Sequence, residues 1–246
     1  MRGRTCSALV FLLLLSALSR AETACVNLAE LAHSTVGITR YFDETERNAK
    51  SDVVGIHGTA WFQSATNIVT IGHVATAMGL STQDWKVLDI KDGADSKLIS
   101  ARIQRWVGGG TEKLVVLELQ VPFPAARSVA IRTAPLMPED RLVTLAYLNQ
   151  NPRFVSGRFV QHVTDSRLAG AALLEMYEGD NRFAIDHGAS GAPVFDCDGR
   201  IVAVISNVIT QNFQTPFGVL RTSTAWGSPN VVSVPAQKLM EFSEAR

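Results

Sequence analysis

The chain has 246 residues, with Lys plus Arg and Asp plus Glu equal at 23 each. That balance leaves no excess of positive charge for a polyanion surface, so nucleic acid is not an expected partner. Its 3 cysteines and 5 scattered histidines show neither Cys-x-x-Cys nor His-Glu-x-x-His spacing, and no metal or other cofactor is expected.

Residues 1–24 read as an export signal. Met1 to Arg4 gives a positive start, Ala8 to Leu18 (ALVFLLLLSAL) is continuously apolar, and Ala21 and Ala24 offer small-residue cleavage sites. The apolar run is shorter than the ~20 residues a bilayer-spanning helix needs. Glu22 stands where a lipid-anchored Cys25 would be preceded by Leu or a similar residue. The expectation is therefore an exported protein, periplasmic or secreted, with no stable membrane anchor after signal removal. Cys6 leaves with the signal, and a Cys25–Cys197 disulfide is the hypothesis for the remaining pair, against two free thiols. By chain entropy alone such a long closed loop contributes roughly 3–5 kcal/mol.

Beyond the signal, short apolar or alternating runs separated by Gly, Pro, Asn and Asp predict an all-β protein. The predicted strands are Thr35–Tyr41, Gly58–Gln63, Asn67–Ile71, Lys86–Ile90, Lys97–Trp106, Lys113–Leu119, Arg141–Tyr147, Phe154–Val163, Ala171–Tyr177, Pro193–Phe195, Arg200–Ser206, Phe217–Thr222 and Asn230–Val234. That many short strands suits barrels or sandwiches. A short helical turn is predicted at His73–Met78, and a closing amphipathic helix from Pro235 to about Ala245, opened by its proline. Thr133–Asp140 (TAPLMPED) is the predicted boundary between a β lobe over residues 25–134 and a second over residues 135–246. Gly108-Gly109-Gly110 lacks the Gly-Lys-Ser/Thr and the following helix of a phosphate loop, and reads as a turn.

The most specific local signal is Asp186-His187-Gly188-Ala189-Ser190-Gly191-Ala192-Pro193-Val194-Phe195. In a tight glycine-flanked turn a serine oxygen projects outward, while the N–H groups of Gly188 and Ser190 can converge on a developing oxyanion. The competing reading is a plain Gly/Ala/Ser turn between strands. Gly58-Thr59-Ala60-Trp61-Phe62 and then Ile68-Val69-Thr70-Ile71-Gly72-His73-Val74-Ala75 shift the balance, because they end an apolar strand on a histidine that could serve as base. His73 lies in the first predicted lobe and Ser190 in the second, so packed lobes would bring both to one cleft.

These segments resemble the chymotrypsin/trypsin superfamily, bacterial exported trypsin-like serine peptidases above all. GTAWF, NIVTIGHVA, KLVVLEL, GASGAPVFD, GRIVAVIS and NVVSVPAQKLMEF carry the resemblance, which spans nearly all of the chain after the signal. It implies two six-stranded antiparallel β-barrels with the active site between them, His73 as general base and Ser190 as nucleophile. The third triad member does not carry over: relatives begin the KLVVLEL-like strand with Asp, where this chain has Lys113. Glu112, one position earlier and one methylene longer, is the candidate acid, with Asp89, Asp92 and Asp95 as substitutes. The resemblance also puts Ala184 at the base of the specificity pocket, with Ser206, Asn207 and Val208 as one wall. A pocket without a carboxylate implies small or apolar substrate side chains. No basic residue followed by an Ile-Val-Gly-Gly-like start is present, so the resemblance implies an oxyanion site that forms without cleavage.

Two other functions compete with a peptide-hydrolysing enzyme. The α/β-hydrolase elbow is excluded because Ala192 replaces its last glycine, strands follow, and no histidine comes after Ser190. A catalytically weak or inactive binding protein on the same scaffold is the stronger rival, with Lys113 as the mark of triad decay. The sequence does not set the substrate or the oligomeric state.

Overall fold

The structure is a computed structural model that describes residues 25–246 apart from 51, 109–112, 164–169, 178–184, 186, 209, 216–217, 224–229 and 242–246, with residues 207–223 and 241 described by backbone course alone. Its first six strands are β1 (Thr35–Tyr41), β2 (Gly55–Ser64), β3 (Asn67–Ile71), β4 (Lys86–Asp92), β5 (Asp95–Val107) and β6 (Leu114–Leu119). They close into an antiparallel barrel in the order β1-β2-β3-β6-β5-β4. β7 (Arg141–Leu148), β8 (Asn151–His162), β9 (Ala172–Tyr177), β10 (Pro193–Phe195), β11 (Ile201–Val208) and β14 (Val231–Pro235) close a second barrel in the order β10-β11-β14-β9-β8-β7. Between β11 and β14 the chain makes a separate two-stranded ribbon, β12 (Thr210–Thr215) and β13 (Gly218–Ser223). The predicted architecture of two six-stranded barrels is thus the observed one.

Alternation of apolar and polar residues explains most of these strands. β9 runs buried and half-buried by turns, as a strand with one face on a core must. β1 instead is buried along nearly its whole length, because its outer face is covered by the second barrel: Tyr147 of β7 lies against Gly37, whose missing Cβ would stand 2.6 Å from the ring. Tyr147 is almost fully buried, and burial, its largest influence, pushes its phenol up from the ordinary value; the Gly93 N–H that donates to its oxygen pulls the other way. One apolar cluster fills the first barrel and continues across the seam to Phe195, Ile201, Val204 and Val234, while a second fills the other barrel.

Four short helices complete the described chain: α1 (Leu28–Ala32), α2 (Glu44–Ala49), α3 (Gly72–Ala77) and α4 (Lys238–Glu241). α1 and α2 were not predicted, since five or six residues are too few to show a helical period. Their caps carry the local signal: the Asn27 side chain accepts from the Ala29 N–H, and Asp43 with Glu46 forms a capping box. The closing helix needs correction. Pro235 ends β14 rather than opening a helix, because the ladder to β11 extends to the pair Ala203 and Pro235, and the helix begins only at Lys238. The disulfide joins Cys25 to Cys197 across a sequence separation of 172 and ties the segment before β1 to the β10–β11 turn. Among the described residues no helix is long and apolar enough to cross a membrane.

Candidate active site

His73 is the second residue of α3, at the point where β3 leaves the barrel wall. Regular backbone places it. Gly72 donates its N–H to the Lys113 carbonyl at 2.7 Å, which fixes the strand-to-helix junction against the start of β6. At the other end of the helix the buried guanidinium of Arg40 donates to the Met78 carbonyl at 2.6 Å and to the Glu46 carboxylate. A cation on the last carbonyls also suits the negative end of a helix. Those hydrogen bonds from Arg40, ahead of any other influence, hold the Glu46 carboxyl below its ordinary value. His73 itself is exposed, with Val74 buried behind it.

Ser190 lies in the turn that leads into β10 and is half-buried. Gly188 and Gly191 on either side have φ of +100° and +92°, values that L side chains rarely adopt. Space forbids a side chain at Gly191 as well, where a Cβ would stand 2.0 Å from the Thr59 carbonyl oxygen. Within the second barrel the turn is held by the Gly191 N–H donating to the Ile205 carbonyl at 2.8 Å.

The first barrel grips the same turn through Thr59 of β2, a fully buried residue. Its N–H donates to the Ser190 carbonyl at 3.0 Å, and its hydroxyl donates to the Gly188 carbonyl at 2.7 Å while accepting from the Tyr147 N–H at 2.9 Å. Its own carbonyl accepts from the Thr70 hydroxyl at 2.8 Å. Next to it, a Cβ on Gly58 would stand 2.8 Å from Val74 Cγ1 and 3.3 Å from the Ser190 carbonyl oxygen. The chain neighbour of His73 and the backbone of Ser190 therefore meet at one glycine on β2. The hydroxyl of Ser190 donates to the Ser206 carbonyl at 3.0 Å. Ser206 is the extra residue of a bulge in β11, between the pairs Ile205 with Ser233 and Asn207 with Val232.

The other predicted site residues divide into two groups. Glu112 and Ala184 lie outside the described residues, and Val208 is described only as the backbone end of β11. Asp89 accepts from the Ser96 hydroxyl and Asp92 lies 3.7 Å from His33 Nδ1, so both are engaged in the first barrel, while Asp95 is exposed. Lys113 is exposed, and its Cβ lies 3.4 Å from where Gly72 would carry its own. The position beside the histidine junction thus holds a cation. No cluster of side chains suited to a metal ion occurs among the described residues.

Sequence reading assigned no role to Thr59, Arg40 or His57. Thr59 was visible only as part of GTAWF, and nothing in a single sequence shows that its hydroxyl reaches a residue 129 positions away. His57 Nε2 is buried without a hydrogen-bond partner among the described residues, and it stands 3.2 Å from the place a Gly188 Cβ would take.

Residues 58–204 match the sequence profile of the trypsin-like peptidase domain. Comparison with curated protein sequences finds no match. Among solved structures, the active form of the Rv3671c protease from M. tuberculosis is similar with a TM-score of 0.60 at 13% identity, over 87% of this chain and 81% of that one. The HtrA-type protease AlgW with a tripeptide gives 0.58 at 14% identity, over 89% of this chain and 61% of that one. A serine endoprotease from Yersinia pestis gives 0.55 at 13% identity, over 87% and 62%. At these identities the likeness is one of fold.

Proposed function

Because this chain belongs to the trypsin-like peptidase family, we propose that it is an exported serine endopeptidase acting through Ser190 and His73. The observation that carries the reading is the shared contact at Gly58, where the histidine-bearing segment and the serine turn meet. In the proposed reaction His73 takes the Ser190 hydroxyl proton as the oxygen attacks a peptide carbonyl. The carbonyl oxygen becomes an oxyanion facing the N–H groups of Gly188 and Ser190. The C–N bond then breaks as the imidazolium returns its proton to the leaving amine, and water releases the acyl group by the same steps. The Ser190 hydroxyl has to leave the Ser206 carbonyl for this. One hydrogen bond is exchanged for another, a small cost of roughly 0.5–1.5 kcal/mol at most.

Glu112 is proposed as the acid that orients His73, with the cation of Lys113 beside the junction opposing it. Ala184, Ser206 and Val208 are proposed to line a pocket for small or apolar side chains. Residues 1–24 are proposed as the export signal, and residues 25–134 and 135–246 as the two lobes. The disulfide between Cys25 and Cys197 supports export, since such bonds persist in oxidising compartments.

A second reading, a protease-fold binding protein with little turnover, is favoured by Lys113 in the acid position and by the parked hydroxyl of Ser190. Peptide-library digestion separates the two. The endopeptidase reading predicts cleavage after small or apolar residues, abolished in Ser190→Ala and His73→Ala. It also predicts that Glu112→Gln lowers kcat while Lys113→Asp raises it by about 10-fold or more, given that an orienting carboxylate is worth up to ~10⁴ in such enzymes. A folded protein that cleaves nothing, with Lys113→Asp equally inert, overturns the endopeptidase reading.

A further inference from the structure

β11 and β14 are antiparallel neighbours paired as far as Val208 and Val231. Strands so paired need only a hairpin turn of about two to five residues between them. The chain instead spends residues 209–230 there, of which Thr210–Thr215 and Gly218–Ser223 form the β12–β13 ribbon, and among the described residues that ribbon pairs with neither barrel. Barrel closure does not account for this excursion. A two-stranded ribbon is marginal in water alone and gains from a further strand.

The ribbon follows the strand that holds the serine turn. On the side of β11 facing β10, strand pairing ends at Val204, opposite Pro193. The next carbonyl, of Ile205, accepts from Gly191 in the serine turn, and the Ser206 carbonyl after it holds the Ser190 hydroxyl. Beyond that point no described strand covers this edge, and β12 starts at Thr210, with one residue between it and the end of β11. Among the described residues no strand thus pairs with this edge of β11 from Asn207 on, and the ribbon is the next described element of the chain.

We propose that the ribbon lengthens the substrate-binding edge, so that this protein takes its substrate as a long extended polypeptide added as a strand, along β11 and then β12–β13, over six or more residues on the acyl side of the scissile bond. This rests on the reading of Ser190 as nucleophile. β12 has six residues, which at ~3.3 Å each extend the edge by about 20 Å. Main-chain pairing supplies affinity in such strand addition with little demand on sequence. The substrate class is therefore unfolded or extended protein segments rather than short peptides.

The test separates binding from turnover. Capped peptides of alternating Thr and Ala, with three, five, seven and nine residues and an equimolar mixture of all amino acids at the carboxyl end, are bound to the full chain carrying Ser190→Ala. Affinity is expected to rise about 10-fold or more from three to nine residues. In a variant with residues 209–229 replaced by Asn-Gly, which keeps Asn230 on Met176 and leaves a short turn between the paired strands, the rise is expected to shrink below about 3-fold. With Ser190 restored, that variant is still labelled by a fluorophosphonate at the rate of the parent chain.

Should the shortened variant not fold, Gln211→Pro and Asn212→Pro replace it. Successive N–H groups of β12 face opposite edges, so one of the two removes a donor from the outer edge and flattens the length dependence. Unchanged length dependence without the ribbon, or none in the full chain, overturns the proposal. So does a ribbon whose removal alters only the oligomeric state. Absence of labelling alongside length-dependent binding defeats the hydrolase reading and leaves the ribbon assignment standing.

Discussion

His73 stands on a strand-to-helix junction of ordinary backbone, whereas Ser190 stands in a turn that needs φ of +100° at Gly188 and +92° at Gly191. The histidine side is secured within its own barrel, by the Gly72 N–H on Lys113 and by Arg40 on Met78. The serine side is secured from the other barrel, chiefly by Thr59, whose hydroxyl and N–H reach Gly188 and Ser190. A base needs one accessible ring nitrogen in a fixed place, which a helix end provides. A nucleophile beside an oxyanion site needs several backbone groups aimed together, which regular structure does not provide. The serine side should therefore be the fragile one, and substitutions on the two sides should differ in kind.

The largest effect is expected from Gly191→Ala. The new Cβ would collide with the Thr59 carbonyl at 2.0 Å and with the Thr70 hydroxyl at 2.2 Å, at a positive φ. Strain and overlap together cost about 3–5 kcal/mol, seen as a fall in Tm of roughly 10 °C. Fluorophosphonate labelling of Ser190 should slow by about 100-fold, the usual penalty of an ångström-scale misplacement.

Thr59→Val comes next, because it keeps the volume but leaves the Gly188 carbonyl and the Tyr147 N–H without their hydroxyl partner. Buried groups so abandoned cost about 2–4 kcal/mol in total. Thermal melts check the loss. Slower labelling of Ser190 in the folded variant would show that the first barrel holds the nucleophile turn in place.

On the histidine side, Glu46→Gln removes the anion facing the buried Arg40 guanidinium, at a cost of about 1–3 kcal/mol at neutral pH. The sign of its pH dependence follows from the lowered carboxyl of Glu46. A carboxyl depressed in the folded state stabilises fully above its unfolded value and loses that contribution as pH falls through the folded value. The gap in Tm between the parent and Glu46→Gln should therefore be full at pH 6 and close below about pH 4. Melts across that window decide it, and a gap that widens in acid contradicts the assignment.

The smallest effect belongs to Gly79→Ala, just beyond α3. Its φ is also positive, at +65°, but among the described residues the only neighbour a Cβ would meet within 4 Å is the end of the Arg40 side chain at 3.2 Å. About 1–2 kcal/mol of stability is expected to go, with labelling unchanged within about 2-fold. If Gly79→Ala slowed labelling as much as Gly191→Ala, the contrast between the two sides would fail.

The barrels were readable because their strands follow a period of two and their turns are marked by Gly, Pro, Asn and Asp. β1, β3 and β10 even begin and end where the sequence pattern does. Gly188, Ser190 and Gly191 were legible as a turn because glycine on both sides of a serine has few other uses. What escaped was of two kinds. Elements too short to repeat their own period twice, such as α1 and α2, leave only a cap to notice. Contacts made by tertiary folding leave nothing: Thr59 on Gly188, His57 against Gly188 and the Ser190 hydroxyl on Ser206 join residues with no local relation. β12 was missed because Thr-Gln-Asn-Phe-Gln-Thr is polar enough to read as loop, and Pro235 misled because a proline at the end of a strand resembles one at the start of a helix.

The most direct test of the account is covalent labelling of the mature protein with a fluorophosphonate, followed by peptide mapping. A single adduct on Ser190, lost in Ser190→Ala and strongly slowed in His73→Ala while both variants keep the parent Tm, is the predicted result. A folded protein that takes no label, or one labelled equally well without His73, would contradict it.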